Sequence, residues 1–321
     1  MKIVLINGGR GATSIIKYLT KNKSYEITSI VNAYDDGKST GVIRDFFKIL
    51  GPSDIRKVQS VLLDNQNKNY KIFKKFFDYR FSSNISNYEA KSYLKKILKY
   101  ENNNILNLNN LDKKNGKKIY KFLNIFYNEM IKIEKKNKLF FNFTDCSITN
   151  CLYAGAIIFF KKNTEKAINN ISKLFDIKHK VFINSNSLRY LHAIRSNGEI
   201  LSSESEIVEI RSNKNIEDIY LLKNKVQNSH IKNFNKKDKI KYLESLHSPP
   251  KINKNLDTIF KNATHIIFCP GTQHSSLYPT YLTKNFSKYI SKSNALKILI
   301  TNIGADYETP FYQASDYING A

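Results

Sequence analysis

The sequence predicts an α/β fold: a Rossmann-like, mainly parallel sheet with helices on both faces and a helical insertion. Three observations predict it. The apolar run Lys2–Ile6 leads into a glycine-rich turn, as a buried parallel strand does. Strand-like and helical segments then alternate. Two later apolar runs, His265–Cys269 and Leu296–Ile300, each end in a polar turn.

The elements follow in order. Thr13–Lys21 carries Ile15, Ile16 and Leu19 at helical spacing, and Tyr25–Val31 is the second strand. Residues 42–50 and 54–63 read as helices. From about 65 to 138 lysine, asparagine, phenylalanine and tyrosine dominate. Stripes at Ile72–Phe77, Tyr93–Leu98 and Ile119–Ile133 mark this stretch as the helical insertion, with 102–104 as a loop. No Pro/Gly linker bounds it, so one nucleotide-binding domain over 1–321 is expected. Helices follow at Thr149–Phe160 and Thr164–Phe175, the second capped by Thr164. Lys180–Ile183 is a strand, Ser196-Asn197-Gly198 a hairpin turn, Ile219–Leu222 another strand and Leu256–Asn262 a helix. About twenty residues follow the last strand with no substantial terminal helix: either that helix is short, or, the favoured reading, this is the N-terminal part of a longer chain, with room for a fused C-terminal domain.

Composition bounds the function. No apolar run among the 321 residues is long enough to cross a bilayer, and strand-like sequence from Lys2 leaves no room for a signal peptide. Cys146, Cys151 and Cys269 show no metal-binding spacing, which fits a reducing cytoplasm. The net charge of +25 invites a nucleic-acid reading. Only seven of the 52 basic residues are arginine, however, and the lysines are scattered rather than grouped. The reading is a solvated lysine bias and no specific nucleic-acid partner.

Chemistry concentrates in three blocks. The turn Gly8-Gly9-Arg10-Gly11-Ala12-Thr13 offers backbone N–H groups to a phosphate at a helix start. It lacks the Gly-Lys-Ser/Thr of a Walker loop and matches a dinucleotide fingerprint only in part, with Asp35 about twenty residues on. The second block is Asp35-Asp36-Gly37-Lys38-Ser39-Thr40-Gly41 with Arg44, then Ser53-Asp54 and Arg56. Two carboxylates beside a diphosphate repel it by roughly 4 kcal/mol per charge pair at 4 Å. Mg²⁺ bridging carboxylates and phosphates offsets that repulsion. Asp54 and Arg56 also read as a helix cap and its ion pair. The third block is Gly271-Thr272-Gln273-His274-Ser275-Ser276, rich in donors and lacking a third partner for a triad.

In this order the blocks resemble the superfamily that joins the CofD 2-phospho-L-lactate transferases to the YvcK-like gluconeogenesis factors. Gly8-Gly9-Arg10-Gly11 is similar to its Gly-Gly-Thr-Gly. Asp35 to Arg44 resembles Asp-Asp-Gly-x-Ser-x-Gly-x-x-Arg, and Ser53 to Arg56 resembles Gly-Asp-Ile-Arg. Asn150 falls at its Gly-Asn, and Pro270 to Pro279 follows its late serine-rich loop. The resemblance implies transfer of a phosphorylated group from a nucleotide-diphosphate-linked donor to an acceptor hydroxyl, releasing a nucleoside monophosphate. It implies Asp35, Asp36 and Asp54 as metal ligands, with Asp36 and Asp54 catalytic. Gly8, Gly9, Arg10, Gly11, Thr13, Ser39, Thr40, Arg44, Asn150, Gly271, Thr272, His274, Ser275 and Ser276 are the implied nucleotide and phosphate contacts. Arg10 and Ser53 depart from the pattern. Ser39-Thr40-Gly41 resembles the YvcK branch, whose members bind UDP-sugars and are thought regulatory. A nucleotide-sugar sensor is therefore the alternative, and an NAD oxidoreductase a third. Donor, acceptor and oligomeric state, a homodimer included, stay open.

Overall fold

The structure is a computed structural model and describes residues 1–99, 106, 108, 111, 113–209, 212–304 and 307–321. The expected loop at 102–104 lies outside them. The chain divides into two compact units: Met1–Gly37 with Phe182–Ala321, and Lys38–Val181. β1 (Lys2–Asn7), α1 (Thr13–Leu19) and β2 (Glu26–Val31) open the first unit. The second unit is helical: α2 (Lys38–Phe47), α3 (Ser53–Val61), α4 (Tyr70–Asp78), α5 (Asn87–Leu98), α6 (Lys113–Asn137), α7 (Ile148–Phe159) and α8 (Thr164–Leu174). β3 (Lys180–Ile183) leads back into the first unit. There follow β4 (Tyr190–Arg195), β5 (Ile200–Leu201), α9 (Glu204–Glu209), β6 (Ile216–Leu222), α10 (Asn228–Ile231), α11 (Lys236–Leu246) and α12 (Asn255–Asn262). β7 (His265–Phe268), α13 (Tyr278–Tyr281), α14 (Phe286–Ser291), β8 (Leu296–Leu299) and α15 (Ala314–Gly320) complete it.

Among the described residues the main sheet has the order β3-β2-β1-β7-β8. β1 pairs in parallel with β2, from Lys2↔Glu26 to Asn7↔Val31, and with β7, from Ile3↔His265 to Ile6↔Phe268. β7 pairs in parallel with β8. The central place of β1 explains its unbroken apolar run: five of its six residues are buried. Val4, Ile6 and Ile30 pack with Leu256 and Phe260 of α12 and Phe286 of α14. Each such side chain contributes about 1.5–3 kcal/mol on burial. The expected mainly parallel α/β class is observed.

A second, antiparallel sheet has the order β5-β4-β6. Its hairpin turns at Gly198, whose φ of +82° suits glycine. Leu191, Ala193, Leu201 and Leu221 pack there against Ile207 of α9. The hairpin was expected; the separate sheet was not, because β5 is only two residues long.

Aromatic side chains fill the second unit. Phe175 gathers Phe73 and Phe77, with ring centroids 5.1 and 4.8 Å away. Phe141 meets Phe126 and Phe143 at 5.5 and 4.7 Å. Helices α6 and α7 approach so closely that a Cβ on Gly155 would lie 1.8 Å from the Phe122 carbonyl oxygen. Just past their C-termini, α2, α6 and α7 place lysines in the left-handed region: Lys48, Lys138 and Lys161 have φ of 53°, 53° and 52°.

Three local expectations are corrected. Asn163, not Thr164, caps α8, accepting the Lys166 N–H at 3.0 Å; Thr164 is already helical. A terminal helix does form: Gln313 and Asp316 build a capping box that starts α15. α2 begins at Lys38 rather than 42, so Ser39 and Thr40 lie inside it. Among the described residues no helix is long and apolar enough to cross a membrane.

Candidate active site

In the first unit, four strand ends carry the polar loops. After β1, Gly8 and Gly9 are buried, and the Thr13 N–H closes the turn on the Arg10 carbonyl at 3.0 Å. Helix α1 starts with no side-chain cap, and the Thr13 N–H is already taken by the Arg10 carbonyl. After β7, Pro270-Gly271-Thr272 leads into a wide π-helical turn, Gln273–Leu277, in which the Leu277 N–H donates to the Thr272 carbonyl at 3.3 Å, and then α13.

These two loops are in contact. A Cβ on Gly8 would lie 2.6 Å from Ser276 Cβ, and one on Gly11 would lie 2.0 Å from the Pro270 carbonyl oxygen. Gly11 is required by close approach of the Pro270–Gly271 backbone, and Gly8 by the Ser276 side chain. Thr272 Oγ1 meets Ser275 Oγ and Ser276 Oγ at 2.8 Å each. Asn302, just past β8, clamps Gly271 from both sides: Gly271 N–H donates to Oδ1 at 2.9 Å, and Nδ2 donates to the Gly271 carbonyl at 3.0 Å. Asn32, just past β2, donates from Nδ2 to the Ser275 carbonyl at 2.9 Å. The ends of β1, β2, β7 and β8 thus meet at the carboxyl edge of the sheet, where α/β folds bind ligands.

Glu308 was not anticipated. Its Oε2 accepts the backbone N–H groups of His274 and Ser275 at 2.8 and 3.0 Å, and its Oε1 accepts the Ser275 hydroxyl. A carboxylate therefore occupies donors that sequence reading assigned to a ligand. Glu308 is buried. The acid contacts the serine directly and stands 3.9 Å from His274 Nδ1, which is not the order of a serine–histidine–acid relay. His274 donates to or accepts from the Tyr312 hydroxyl at 3.4 Å. Burial, then the charge of Arg195, pushes the imidazole down to about 4, so it is neutral at neutral pH. No sequence signal marked Glu308, which lies beyond every motif.

Asp35 and Asp36 leave the sheet together. Asp35 Oδ1 accepts the Gly37 N–H at 3.0 Å, and Asp36 Oδ1 accepts the Glu204 N–H at 2.7 Å. A Cβ on Gly37 would lie 2.6 Å from Glu204 Oε2 and 3.5 Å from Asp35 Oδ1. Three carboxylates thus share one neighbourhood, Glu204 being the one that sequence reading missed. Among the described residues no group of three His, Cys, Asp or Glu side chains converges as a metal cage. The donor chemistry fits instead a magnesium ion that takes most of its oxygens from phosphate and water.

The other sequence-predicted residues lie in the second unit. Asn150 Nδ2 donates to Ser53 Oγ at 3.1 Å and to Ser39 Oγ at 3.5 Å. Its buried Oδ1 has no hydrogen-bond partner. Thr40 and Ser53 share a short hydroxyl contact. Arg44 is fully buried. Asp54 sits in the first turn of α3 rather than at its cap, and pairs with Lys57 at 2.8 Å. Arg56 donates to the Phe77 carbonyl at 3.1 Å.

The chain is similar to known proteins over nearly its whole length. The gluconeogenesis factor of Bacillus subtilis (strain 168) is 24% identical over 320 residues, covering 99% of this chain and 73% of that protein. A Lactococcus lactis relative is 22% identical over 318 residues, covering 99% and 72%. The crystal structure of a UPF0052-family protein from Bacillus halodurans superposes with a TM-score of 0.65 at 21% identity, over 99% of this chain and 75% of that one. The profile of the family described as 2-phospho-L-lactate transferase CofD matches residues 3–320, and the chain belongs to that family.

Proposed function

We propose that the chain is a CofD-type transferase that moves a phosphorylated group from a nucleotide-diphosphate-linked donor to an acceptor hydroxyl. One observation carries the reading: the glycine turn after β1 packs on the serine-rich loop after β7, so two donor-rich backbones face one end of the sheet. In this reading Gly8, Gly9, Arg10, Gly11 and Thr13 hold the diphosphate, and Gly271, Thr272, Ser275 and Ser276 flank it. Asp35 and Asp36 hold Mg²⁺, which supplies charge neutralisation at the transferred phosphorus. Catalysis is then positioning and electrostatics, with no covalent nucleophile. Within the second unit, taken by itself, Ser39, Thr40, Arg44, Asp54 and Asn150 are proposed as polar ligand contacts on the family resemblance.

The test is nucleoside monophosphate release from GDP- and UDP-linked donors, with and without Mg²⁺. Asp36→Asn keeps the acceptor for the Glu204 N–H and removes the charge. It is expected to lower turnover at least about a hundredfold without changing the melting temperature, on the scale of lost electrostatic stabilisation. Unchanged turnover would remove Asp36 from the mechanism.

A second reading has its own support. The B. subtilis relative is named a gluconeogenesis factor rather than an enzyme, and Glu308 already fills two late-loop donors. A nucleotide-sugar sensor that binds without turnover accounts for both. Saturable binding with no monophosphate release selects it.

A further inference from the structure

We propose that the turn after α6, with the start of α5 beside it, docks on the surface of a bilayer that carries anionic lipid. The surface is apolar at its tip and cationic around it, and it lies wholly within the second unit.

The tip is the first argument. Leu139 and Phe140 are 57% and 69% exposed. Among the described residues they are the only two large apolar side chains that are exposed and consecutive in sequence. Single exposed apolar residues are ordinary, whereas a patch of them rimmed by polar groups marks a protein or membrane contact. Tyr88, 83% exposed at the start of α5, adds a third side chain. It shares a helical face with Lys91, three residues on, and Lys91 Nζ stands 5.6 Å from the centre of the Phe140 ring.

The turn holds that tip outward. Lys138, just past α6, has a φ of 53° and donates its N–H to the Glu134 carbonyl at 2.9 Å. The Glu134 side chain accepts the Phe141 N–H at 3.0 Å and pairs with Lys91 at 2.6 Å. Phe141 and Phe143 are fully buried. Leu139 and Phe140 therefore stand between two tied neighbours, presented before any partner arrives.

Charge names the partner. Here, unlike along most of the chain, lysine groups: Lys132, Lys135, Lys136 and Lys138 are four of seven consecutive residues, and all four are exposed. Lys95 and Lys96 of α5 are exposed as well. Within residues 80–99 and 126–146 every carboxylate is already engaged. Glu134 holds Lys91, Glu129 meets Lys132 at 3.7 Å, Asp145 meets Arg80 at 3.5 Å, and Glu89 accepts the Ser86 hydroxyl at 2.7 Å. A soluble polyanion has no use for the leucine and phenylalanine, and a purely apolar partner has none for the lysines. An anionic bilayer surface meets both. Its headgroups attract the lysines while the apolar tip enters the boundary with the acyl chains.

The experiment measures co-sedimentation of the full chain with phosphatidylcholine vesicles, with and without about 30% phosphatidylglycerol. The anionic vesicles are expected to bind at least about tenfold more tightly than the neutral ones. Leu139→Ser combined with Phe140→Ser should weaken that binding at least about tenfold, while heparin retention and circular dichroism stay as in the wild type. The chain has no tryptophan, so Phe140→Trp places a lone fluorophore at the tip. Its emission should shift to the blue on anionic vesicles. That of Tyr18→Trp, at an exposed ring beside Lys21 in the first unit, should not. Equal binding to the two vesicles, unchanged binding by the double variant, or a parallel loss of its heparin retention overturns the proposal. So does a Phe140→Trp spectrum indifferent to lipid, or an equal shift at both positions. Should the double variant fail to fold, the two tryptophan spectra still decide.

Discussion

At the scale of single residues, Glu308 and the histidines carry the sharpest consequences. Glu308 accepts two backbone N–H groups and a hydroxyl in a buried place. Replacing it by alanine leaves those donors unsatisfied and is expected to cost about 2–3 kcal/mol in urea denaturation. The same variant vacates the donors, so a nucleotide diphosphate should raise its melting temperature more than it raises that of the wild type. A variant as stable as wild type would mean that water replaces the carboxylate. His274 and His192 are both pushed down to about 4, chiefly by burial. Unfolded, each titrates near 6.5, so the unfolded chain binds more protons below that pH. Their depressed values leave stability intact above about 6.5 and erode it as pH falls towards 4, by about 1–3 kcal/mol each. Urea midpoints measured across that window should fall, and His192→Gln should flatten the fall. An equal slope in the variant would relocate the effect to other groups.

At the scale of elements, close backbone approach sets the fold and also what the sequence could reveal. Gly155 lets α7 lie on α6, where a Cβ would collide with the Phe122 carbonyl. Gly155→Ala is expected to destabilise by about 2–3 kcal/mol, read as a lower denaturant midpoint with an unchanged slope. Gly11→Ala should act alike at the glycine turn, through the Pro270 carbonyl. β1, β2, β7 and β8 were legible because buried parallel strands read as short apolar runs ending in turns, as in Lys2–Asn7 and His265–Phe268. The glycine turn and the late loop were legible as blocks, since tight turns constrain residue type locally. Their mutual contact was not, being made across 268 residues from Gly8 to Ser276 by a missing side chain. Glu308 and Glu204 were illegible for a related reason: a carboxylate that accepts a distant N–H looks like any surface acid. Asn163 displaced Thr164 as a cap because both residue types serve and only backbone geometry chooses between them.

At the scale of the whole molecule, charge is the dominant number. With +25 and mostly lysine, the chain should bind any polyanion weakly and without sequence preference. Retention on heparin that vanishes by roughly 0.3 M salt is expected, since the Debye length there is below 10 Å. Tight, sequence-dependent binding to a nucleic acid would contradict it. The lysine-rich composition reaches into the backbone as well. Lys48, Lys138 and Lys161 stand where helix ends ordinarily prefer glycine. A left-handed L-residue costs roughly 1–2 kcal/mol, and glycine's extra unfolded-state freedom returns about half of that. Three substitutions, Lys48→Gly, Lys138→Gly and Lys161→Gly, should together raise the melting temperature by several degrees. The protein thus carries an unused reserve of heat resistance, lodged in a handful of torsion angles far from any chemistry.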